Sequence, residues 1–299
     1  PLPLRTRLGS LRVLAQWCCV QKKADLVPPV LKLLWILLGT GEVHRDQHIP
    51  LGVRSRLRLF AAQCILKLAT CDAYASLILP RMGRLSYALQ DECFQVRMHL
   101  LHDLLLYLMR DELPTEFHAA IFLVAFDPED EPRVQVASYT RRLQVLPPIV
   151  RHERLERIIV RFLHLLAHHP DLNAESPQTL CSFARYLEFY LACVACETNI
   201  GVLARFSACV RTYIDLSLSE PSVENSRPLY AMAELAQFLI QRLADNHGWT
   251  IYPVDEEAPC PKDILRSTGT IARSVLDGEV WELLQQQPRR HRDKKTKVA

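Results

Sequence analysis

The amino-acid sequence predicts an all-α fold in which pairs of helices stack into a solenoid. Apolar residues recur at helical spacing along most of the chain, while proline and glycine fall between these segments. One such pattern returns after about forty residues, an interval typical of stacked helical repeats. With 49% apolar residues and only 9 glycines in 299 positions, the chain can bury a sizeable core and is not disordered as a whole.

The first fifty residues are predicted to form a helix pair and a turn-rich linker. The helices are expected over residues 8–20 and 24–38, and the linker over residues 39–50. The apolar run around Trp35 contains Lys32 and is too short to cross a bilayer, so we expect no membrane segment. The opening residues lack the order of a signal peptide, and we expect the chain to be a piece of a longer protein.

The repeat is clearest in two segments that begin near residues 53 and 91. Leu57-Arg58 in the first aligns with Val96-Arg97 in the second, at an offset of 39 residues. The same offset superposes three further pairs of apolar residues: Ala62 on Leu101, Ile65 on Leu104 and Leu66 on Leu105. This interval is typical of HEAT and armadillo arrays, so a HEAT-repeat solenoid is predicted over residues 51–248.

The segment from residue 89 to residue 127 contains one complete helix pair. Asp91 is predicted to cap its first helix, because a side-chain oxygen there can accept from a free backbone N–H just before an apolar stripe. Leu113-Pro114 is predicted to separate this helix from the second one. Residues 127–137 are predicted to be a degraded third copy whose helix begins at Pro128.

The rest of the chain is predicted to contain more helices and then a different kind of structure. Four helices are expected, over residues 149–168, 179–196, 200–218 and 229–246, with Gly248 as the C-cap of the last. Prolines and an acidic run then predict an extended strap over residues 249–288, with a short helix over 270–286. Residues 289–299 are predicted to be a disordered basic tail.

The net charge of +3 conceals an uneven distribution of charge. Residues 1–70 carry 11 Lys and Arg against 3 Asp and Glu, residues 71–288 carry 19 against 29, and residues 289–299 carry 6 against 1. Two basic ends thus flank an acidic body. Basic ends favour an acidic partner, such as nucleic acid or an acidic protein segment, although a solvated basic face explains the first block nearly as well.

Basic residues are accordingly the candidate partner-binding residues. Four lie near predicted helix starts, where cations oppose the helix dipole and so indicate a partner with acidic groups: Arg54, Arg56, Arg58 and Arg97. The alternative is a solvated face. Six lie in the tail, where they predict a nuclear import signal or a contact with DNA: Arg289, Arg290, Arg292, Lys294, Lys295 and Lys297.

The sequence lacks the common motifs of enzymatic chemistry. It contains no glycine-rich phosphate loop, no G-x-S-x-G elbow and no H-E-x-x-H pattern. We therefore expect no catalytic activity, no cofactor and no small-molecule substrate. The ten cysteines lie mostly in apolar runs without a disulfide-like framework, so free thiols and a reducing compartment are expected.

Two pairs of side chains have the spacing of metal ligands. Cys193 and Cys196 could form half of a zinc site, but they lie in an apolar run and no second pair follows, which favours a role in the core. His164 and His168 could share one face of a helix, yet no motif supplies a third ligand, which favours a structural or surface role.

Several landmarks together resemble one family. In chain order they are LFAAQCILKLA at residues 59–69, QDECFQVR at 90–97, Leu113-Pro114 with Glu116-Phe117, and HLLAHHPD at 164–171. In order and spacing they are similar to the Pds-five family of sister chromatid cohesion factors, named for the precocious dissociation of sisters. The resemblance covers roughly residues 50 to 250 and corresponds to the C-terminal part of that family's HEAT solenoid, with a departure at Pro132.

This resemblance implies a non-catalytic, chromatin-associated scaffold of the nucleus that regulates cohesin. The partners that it implies are the kleisin subunit of cohesin, the cohesin release factor and the cohesin acetyltransferase. Periodicity alone predicts only a helical repeat protein that binds other proteins. The alternative is therefore another HEAT or armadillo adaptor, in nuclear transport or in a vesicle coat.

Overall fold

Helices packed side by side make up most of the protein, as seen in a computed structural model that describes residues 4–22, 24–42 and 49–286. The α-helices in these ranges are α1 (Leu4–Gln21), α2 (Val27–Thr40), α3 (Leu51–Ala69), α4 (Asp72–Ile78), α5 (Met82–Ser86), α6 (Phe94–Met109), α7 (Asp130–Gln144), α8 (Pro148–Arg151), α9 (Ile159–Ala167), α10 (Pro177–Val194), α11 (Ile200–Cys209), α12 (Arg227–His247) and α13 (Gly278–Gln286). Short 3-10 helices span Ala24–Leu26, Leu79–Arg81, Tyr87–Gln90, Thr115–Phe126 and Val210–Thr212.

Helix α3 begins the regular array. It packs against α1, α2 and α6, and α6 in turn contacts α7. The face of α3 that was predicted to be buried is at most 1% exposed at every position: Leu57, Ala61, Ala62, Ile65, Leu66 and Leu68. Helices α3, α6 and α7 thus follow one another as one layer. The 3-10 helix Thr115–Phe126 contacts α5, α9 and α10, which belong to a second layer. Two stacked layers of helices are the arrangement of a HEAT solenoid.

Helix α6 confirms the predicted apolar stripe and corrects the position of its cap. The stripe is buried throughout: Val96, Leu100, Leu101, Leu104, Leu105 and Leu108. The helix begins at Phe94, however, and Cys93 stands at its N-cap. Asp91 lies two residues earlier, where its Oδ1 atom accepts the N–H of Cys93 at 2.9 Å. The prediction of Asp91 as N-cap was wrong because its carboxylate is oriented toward an arginine of the preceding repeat.

The next two segments also differ in detail from their predictions. The second helix of the pair is a 3-10 helix rather than an α-helix, and most of its side chains are buried. In the third copy, α7 begins at Asp130 with Glu129 at the N-cap, so Pro128 precedes the helix and does not open it. Pro132 fits within the first turn of α7, where a missing N–H leaves no intrahelical bond unmade.

The helix predicted over residues 149–168 is interrupted. It consists of α8, a π-helical turn at His152–Glu156 and α9. The helix predicted over residues 200–218 is also shorter, because α11 ends at Cys209 and strand β1 (Tyr213–Asp215) follows. Strand β1 pairs antiparallel with β2 (Leu265–Ser267), in the register Ile214 opposite Arg266. This pairing supplies backbone hydrogen bonds that a continued helix would otherwise have made.

The strap is the segment from residue 249 to residue 277, and it returns over the solenoid. It contains β2 and passes close to α11, where a Cβ atom on Gly201 would lie 2.6 Å from the carbonyl oxygen of Tyr252. Gly248 ends α12 with a left-handed φ of 69°, as predicted. The final helix, α13, begins at Gly278 and not at residue 270, and it packs on α10.

One apolar core runs from Ala15 in α1 to Leu284 in α13. In the second half of the chain, α12 forms its centre and packs against α9, α10 and α11. Within the described ranges, no helix is both long enough and apolar enough to cross a membrane. The protein is therefore an all-α, HEAT-like solenoid with a C-terminal strap. The predicted tail, residues 289–299, lies outside the described residues.

Candidate functional site

The four arginines predicted to bind a partner occupy different environments. Arg54 forms an ion pair with Glu42, whereas Arg56 is exposed. Arg58 and Arg97 orient their guanidinium groups toward the next repeat, and their side chains are only 13% and 8% exposed. Three of the four cations therefore bind carboxylates of this chain.

Arg58 on α3 contacts the following repeat through Asp91. The Nε atom of Arg58 donates to Asp91 Oδ2 at 2.6 Å, and its Nη2 atom donates to Asp91 Oδ1 at 2.9 Å. Nη2 also donates to the carboxylate of Glu92 at 3.0 Å. The fork of the guanidinium matches both carboxylate oxygens, which makes this a strong type of ion pair. Hydrogen bonding to Asp91 raises the pKa of Arg58.

The same contact recurs one repeat later, between Arg97 on α6 and Asp127. The Nε atom of Arg97 donates to Asp127 Oδ2 at 2.8 Å, and its Nη2 atom donates to Oδ1 at 3.3 Å. Its Nη1 atom donates to the backbone carbonyl of Asp91 at 2.9 Å. Burial lowers the pKa of Arg97, but the carboxylates of Asp127 and Glu129 outweigh this effect and leave the pKa raised.

These contacts form a continuous chain that we call the arginine–aspartate ladder: Arg58, Asp91, Arg97, Asp127 and Arg133. In both repeats the aspartate side chain binds the preceding arginine, and its backbone carbonyl accepts from the arginine six residues later. Because each ion pair joins neighbouring repeats, the ladder fixes how one repeat packs on the next. The spacing of Asp and Arg is visible in the sequence, whereas the pairing across repeats is not.

A groove of about 640 Å³ lies beside the ladder, where α10 faces the 3-10 helix Tyr87–Gln90. Five side chains give it an apolar lining: Leu89, Leu123, Phe126, Phe183 and Tyr186. Its rim carries the carboxylates of Glu92 and Asp171, which are 72% and 84% exposed. We call this concavity the acidic groove. Such a surface suits an apolar anchor flanked by cations.

A hydrogen-bond network around Gln90 fixes one wall of the acidic groove. The Nε2 atom of Gln90 donates to the backbone carbonyl of Leu123 at 3.0 Å and to the hydroxyl of Tyr186 at 2.6 Å. Its Oε1 atom lies 2.6 Å from Nε2 of His169, which donates to it. Burial lowers the pKa of His169 and so favours the neutral ring. Sequence reasoning missed this network, since its members are up to 96 residues apart.

A second groove lies between α2 and the segment Leu79–Arg81 and has a volume of about 1130 Å³. Trp35 forms part of its wall, and the indole N–H of this buried residue has no hydrogen-bond partner among the described residues. The basic side chains around it are Lys32, Arg81 and Arg84, opposed by Glu42. We call this concavity the basic groove; Lys32 belongs to the basic first block of the sequence, whereas Arg81 and Arg84 belong to residues 71–288.

His164 and His168 do meet a third potential ligand. Both rings lie within hydrogen-bond reach of Asp215, at the end of β1. Burial lowers the pKa of His164. Burial by itself would raise the pKa of Asp215, but the hydrogen bonds from the two histidines outweigh it and hold the pKa below its ordinary value. No motif indicates Asp215, because it lies 47 residues beyond His168 and in a segment that was predicted to be helical.

The cysteines provide no comparable cluster among the described residues. In the part of the chain that the structure describes, no disulfide joins any of the ten, as expected. Cys193 is buried in α10, in agreement with its predicted role in the core, whereas Cys196 lies beyond the end of that helix and is half-buried. The predicted import or DNA-binding residues of the tail lie outside the described ranges.

Comparison of the sequence with known proteins gives matches to one family. A family model described as "Sister chromatid cohesion protein PDS5 protein" matches residues 2–266. The chain is 27% identical over 272 residues to the sister chromatid cohesion protein pds5 of Schizosaccharomyces pombe, which covers 90% of the chain and 22% of that protein. It is 23% identical over 280 residues to PDS5 of Saccharomyces cerevisiae, which covers 84% of the chain and 22% of that protein.

Vertebrate proteins match a shorter stretch. The human PDS5 homolog A is 29% identical over 182 residues, which covers 56% of the chain and 14% of that protein. The chain thus spans about a fifth of the length of its yeast relatives and less of its vertebrate ones. Since the family model covers most of the residues, including the ladder and both grooves, the chain belongs to the PDS5 family of sister chromatid cohesion proteins.

Proposed function

We propose that this chain is a non-catalytic scaffold that serves sister chromatid cohesion by binding cohesin and its regulators. The observation that carries the proposal is the PDS5 family match over residues 2–266. A HEAT-like solenoid supports it, because such arrays act through extended surfaces that bind other proteins. A protein with this function works in the nucleus, on chromatin.

The partners we propose are the kleisin subunit of cohesin, the cohesin release factor and the cohesin acetyltransferase. We assign the kleisin to the acidic groove. The apolar lining of this groove offers a pocket for one aromatic or aliphatic side chain, and the exposed carboxylate of Asp171 attracts a cation beside it. Glu92 is also exposed but is partly neutralised by Arg58, and Arg97, the arginine that lines the groove, is paired with Asp127 and so opposes a cation only weakly.

The test is recovery of cohesin subunits from a nuclear extract on immobilised protein. The variant Asp171→Lys with Gln178→Lys places two cations on the rim of the groove, at residues that are exposed. The control, Glu197→Lys with Thr198→Lys, makes the same change of charge at exposed positions that do not line the groove. We expect the first variant to lose at least tenfold in kleisin recovery and the control to retain it.

Two outcomes would contradict this proposal. Equal kleisin recovery by both variants would remove the acidic groove from the interface. Recovery of transport receptors or coat proteins in place of cohesin by the unaltered protein would favour the alternative, an adaptor of nuclear transport or vesicle coats.

The basic side chains remain proposed contacts for acidic partners. Of the four arginines near helix starts, Arg56 is the one whose exposed side chain leaves it open to a partner. Arg56→Glu should therefore reduce recovery of an acidic partner, whereas Arg273→Glu, also exposed and near the other end of the chain, should not. Equal recovery with both variants would assign Arg56 to a solvated face.

The tail is proposed to act through its charge, as an import signal or as a contact with DNA phosphates. If its six cations bind DNA, each contributes about 0.9 to the slope of log affinity against log salt, or roughly 5 in total. Deletion of residues 289–299 should then remove most of that slope in duplex-DNA binding. Equal slopes for the full and shortened chains would leave import as the role of the tail.

A further inference from the structure

Three side chains from two separate parts of the chain converge beside α9. His164 and His168 lie one turn apart on this helix, and their ring centroids are 4.4 Å apart. Asp215 approaches from the end of β1, with its N–H donating to the hydroxyl of Ser226 at 3.1 Å. The N–H of Ser217 donates to Asp215 Oδ1 at 2.8 Å. The backbone around the carboxylate is thus fixed independently of the two rings.

Two histidines form the ion-pair contacts of this carboxylate. His164 Nε2 lies 3.3 Å from Asp215 Oδ1, and His168 Nε2 lies 2.6 Å from Oδ2. Within the part of the chain that the structure describes, no lysine or arginine forms an ion pair with Asp215, although its side chain is only 3% exposed. The buried carboxylate of Asp127, by contrast, is matched by an arginine, Arg97. Asp215 therefore differs from the aspartates of the ladder, because histidines and not an arginine contact its carboxylate.

The distances suit a transition-metal ion. One ligand atom from each of the three residues can be chosen so that all lie within 4.8 Å of one another. Ligands at about 2.0–2.1 Å from a tetrahedral zinc ion lie roughly 3.3 Å apart, and His164 Nε2 already lies 3.3 Å from Asp215 Oδ1. The 2.6 Å contact of His168 is to the other carboxylate oxygen, Oδ2, so the His168 ring must move for both rings and Asp215 to bind one ion. This side chain is 31% exposed and so has room to move.

The site also has an open side. A cavity of about 380 Å³ borders His164, His168 and Ser217. The hydroxyl of Ser217 lies 3.2 Å from His164 Nε2, close enough for it, or a water molecule from the cavity, to complete a tetrahedral set. Of the three arginines that line the cavity, Arg81 and Arg84 are exposed, so solvent screens their repulsion. The third, Arg161, is buried and is paired with Asp263.

We infer that His164, His168 and Asp215 form a zinc-binding site with a fourth position open to this cavity. Two imidazoles and one carboxylate are a ligand set that zinc accepts, whereas calcium and magnesium prefer oxygen ligands throughout. Bound zinc would join α9 to β1 and, through the pairing of β1 with β2, to the strap. This site is independent of cohesin binding and can be present whether or not the proposed function holds.

The test measures zinc affinity by competition with a chromophoric chelator, using the metal-stripped chain. We expect one zinc ion per chain and a melting temperature that rises with zinc concentration. Asp215→Asn and His168→Gln should each weaken zinc binding at least tenfold. The control variants His99→Gln and His102→Gln, which change exposed histidines on α6, should bind zinc as the unaltered chain does.

Because the chain also contains ten cysteines, and thiolates bind zinc, the ligands need to be identified separately. Cobalt substituted for zinc should give a spectrum without a thiolate-to-cobalt charge-transfer band. Failure of the unaltered chain to compete for zinc would overturn the inference, as would a thiolate band or equal affinity in His168→Gln. If circular dichroism shows that Asp215→Asn does not fold, His168→Gln decides the question, because its half-exposed side chain tolerates replacement.

Discussion

The two halves of this solenoid are held together by different kinds of polar contact. In the first half, the arginine–aspartate ladder joins residues that lie one repeat apart, with separations of 33 residues for Arg58 and Asp91 and 30 for Arg97 and Asp127. In the second half, the equivalent contacts lead to the strap. Arg161 binds Asp263, 102 residues away, through two hydrogen bonds of 2.9 and 2.7 Å.

Two further sets of polar contacts in the second half also lead to the strap. Glu234 on α12 accepts from the hydroxyl of Ser274 at 2.9 Å and from the N–H groups of Val275 and Leu276 at 3.1 and 3.0 Å. A π-helical turn brings His152 within 2.8 Å of Glu256. The comparison teaches that the first half is stabilised by nearest neighbours, as in a one-dimensional array, whereas the second half is closed by a segment that contacts several helices at once.

The largest expected effect tests the repeat half. Val96→Asp places a carboxylate without a partner at a position that is 1% exposed on α6. We expect a loss of about 4 kcal/mol or more in the free energy of unfolding, because the charge must be buried or the helix displaced. Chemical denaturation measures it, and hydrogen exchange should show lost protection in α3 and α7. A melting temperature within a degree or two of the unaltered protein would contradict the repeat alignment.

A smaller effect is expected from breaking one ion pair of the ladder. Asp127→Asn leaves the Arg97 guanidinium, which is 8% exposed, without its buried carboxylate, and we expect a loss of about 3 kcal/mol in the free energy of unfolding. Asp91→Asn is the matched control, since each arginine keeps a second, exposed carboxylate, Glu129 for Arg97 and Glu92 for Arg58, while Arg58 is the more exposed of the two at 13%. Urea unfolding should give a smaller loss for Asp91→Asn. Equal losses would show that burial does not set the strength of these contacts.

The third prediction concerns pH. Burial lowers the pKa of His118 from 6.5 to about 4. The unfolded chain therefore binds more protons than the folded chain between these values, so stability falls as the pH drops through this window. Between pH 7 and pH 5 we expect His118 to contribute a loss of about 2 kcal/mol. Urea unfolding of His118→Gln should lose that part of the pH dependence; an unchanged dependence would contradict it.

The strap gives a further contrast with the repeat half. Gly201→Ala puts a methyl group against the backbone carbonyl of Tyr252, so the strap must shift, and we expect a loss of about 1 kcal/mol with faster hydrogen exchange over residues 249–277. Gly39→Ala in α2 is the control, because open space surrounds that position and alanine favours a helix. Identical exchange of the strap in both variants would mean that it does not depend on this close approach.

The smallest effect is expected at Arg56. Its exposed side chain takes no part in the ladder, so Arg56→Glu should change the free energy of unfolding by less than about 0.5 kcal/mol. Thermal unfolding measures this change. The variant Arg58→Glu, measured in parallel, should lose several times more free energy of unfolding. A large effect of Arg56→Glu would show that the edge of α3 is also a packing surface.

The sequence predicts the repeat half better than the second half, because periodicity reports local burial. The stripe from Val96 to Leu108 and the C-cap at Gly248 follow from helical spacing and backbone chemistry alone. Strand β1 does not, since its formation depends on a partner strand some fifty residues later. The 3-10 geometry of Thr115–Phe126 is equally hidden, because both helix types bury a continuous apolar run.

The candidate sites divide in the same way. The arginines were identifiable from their positions at helix starts, but their orientation toward Asp91 and Asp127 was not. The sequence therefore suggested an external partner or a solvated face, where the chain supplies its own carboxylates. His164 and His168 were visible as a pair on one helix. Asp215 was not, because only the path of the chain after α11 brings it to them.

The contacts between the second half and the strap can form only late in the synthesis of the chain. Arg161 leaves the ribosome 102 residues before Asp263, which at about 5–20 residues per second is a delay of roughly 5–20 s. Each ion pair of the ladder is complete after 30 or 33 further residues, so the first half can assemble while the chain is still growing. Until Asp263 has been synthesised, we expect Arg161 on α9 to lack its carboxylate partner. A nascent chain stopped before residue 263 should therefore be more accessible to protease in its second half than in its first.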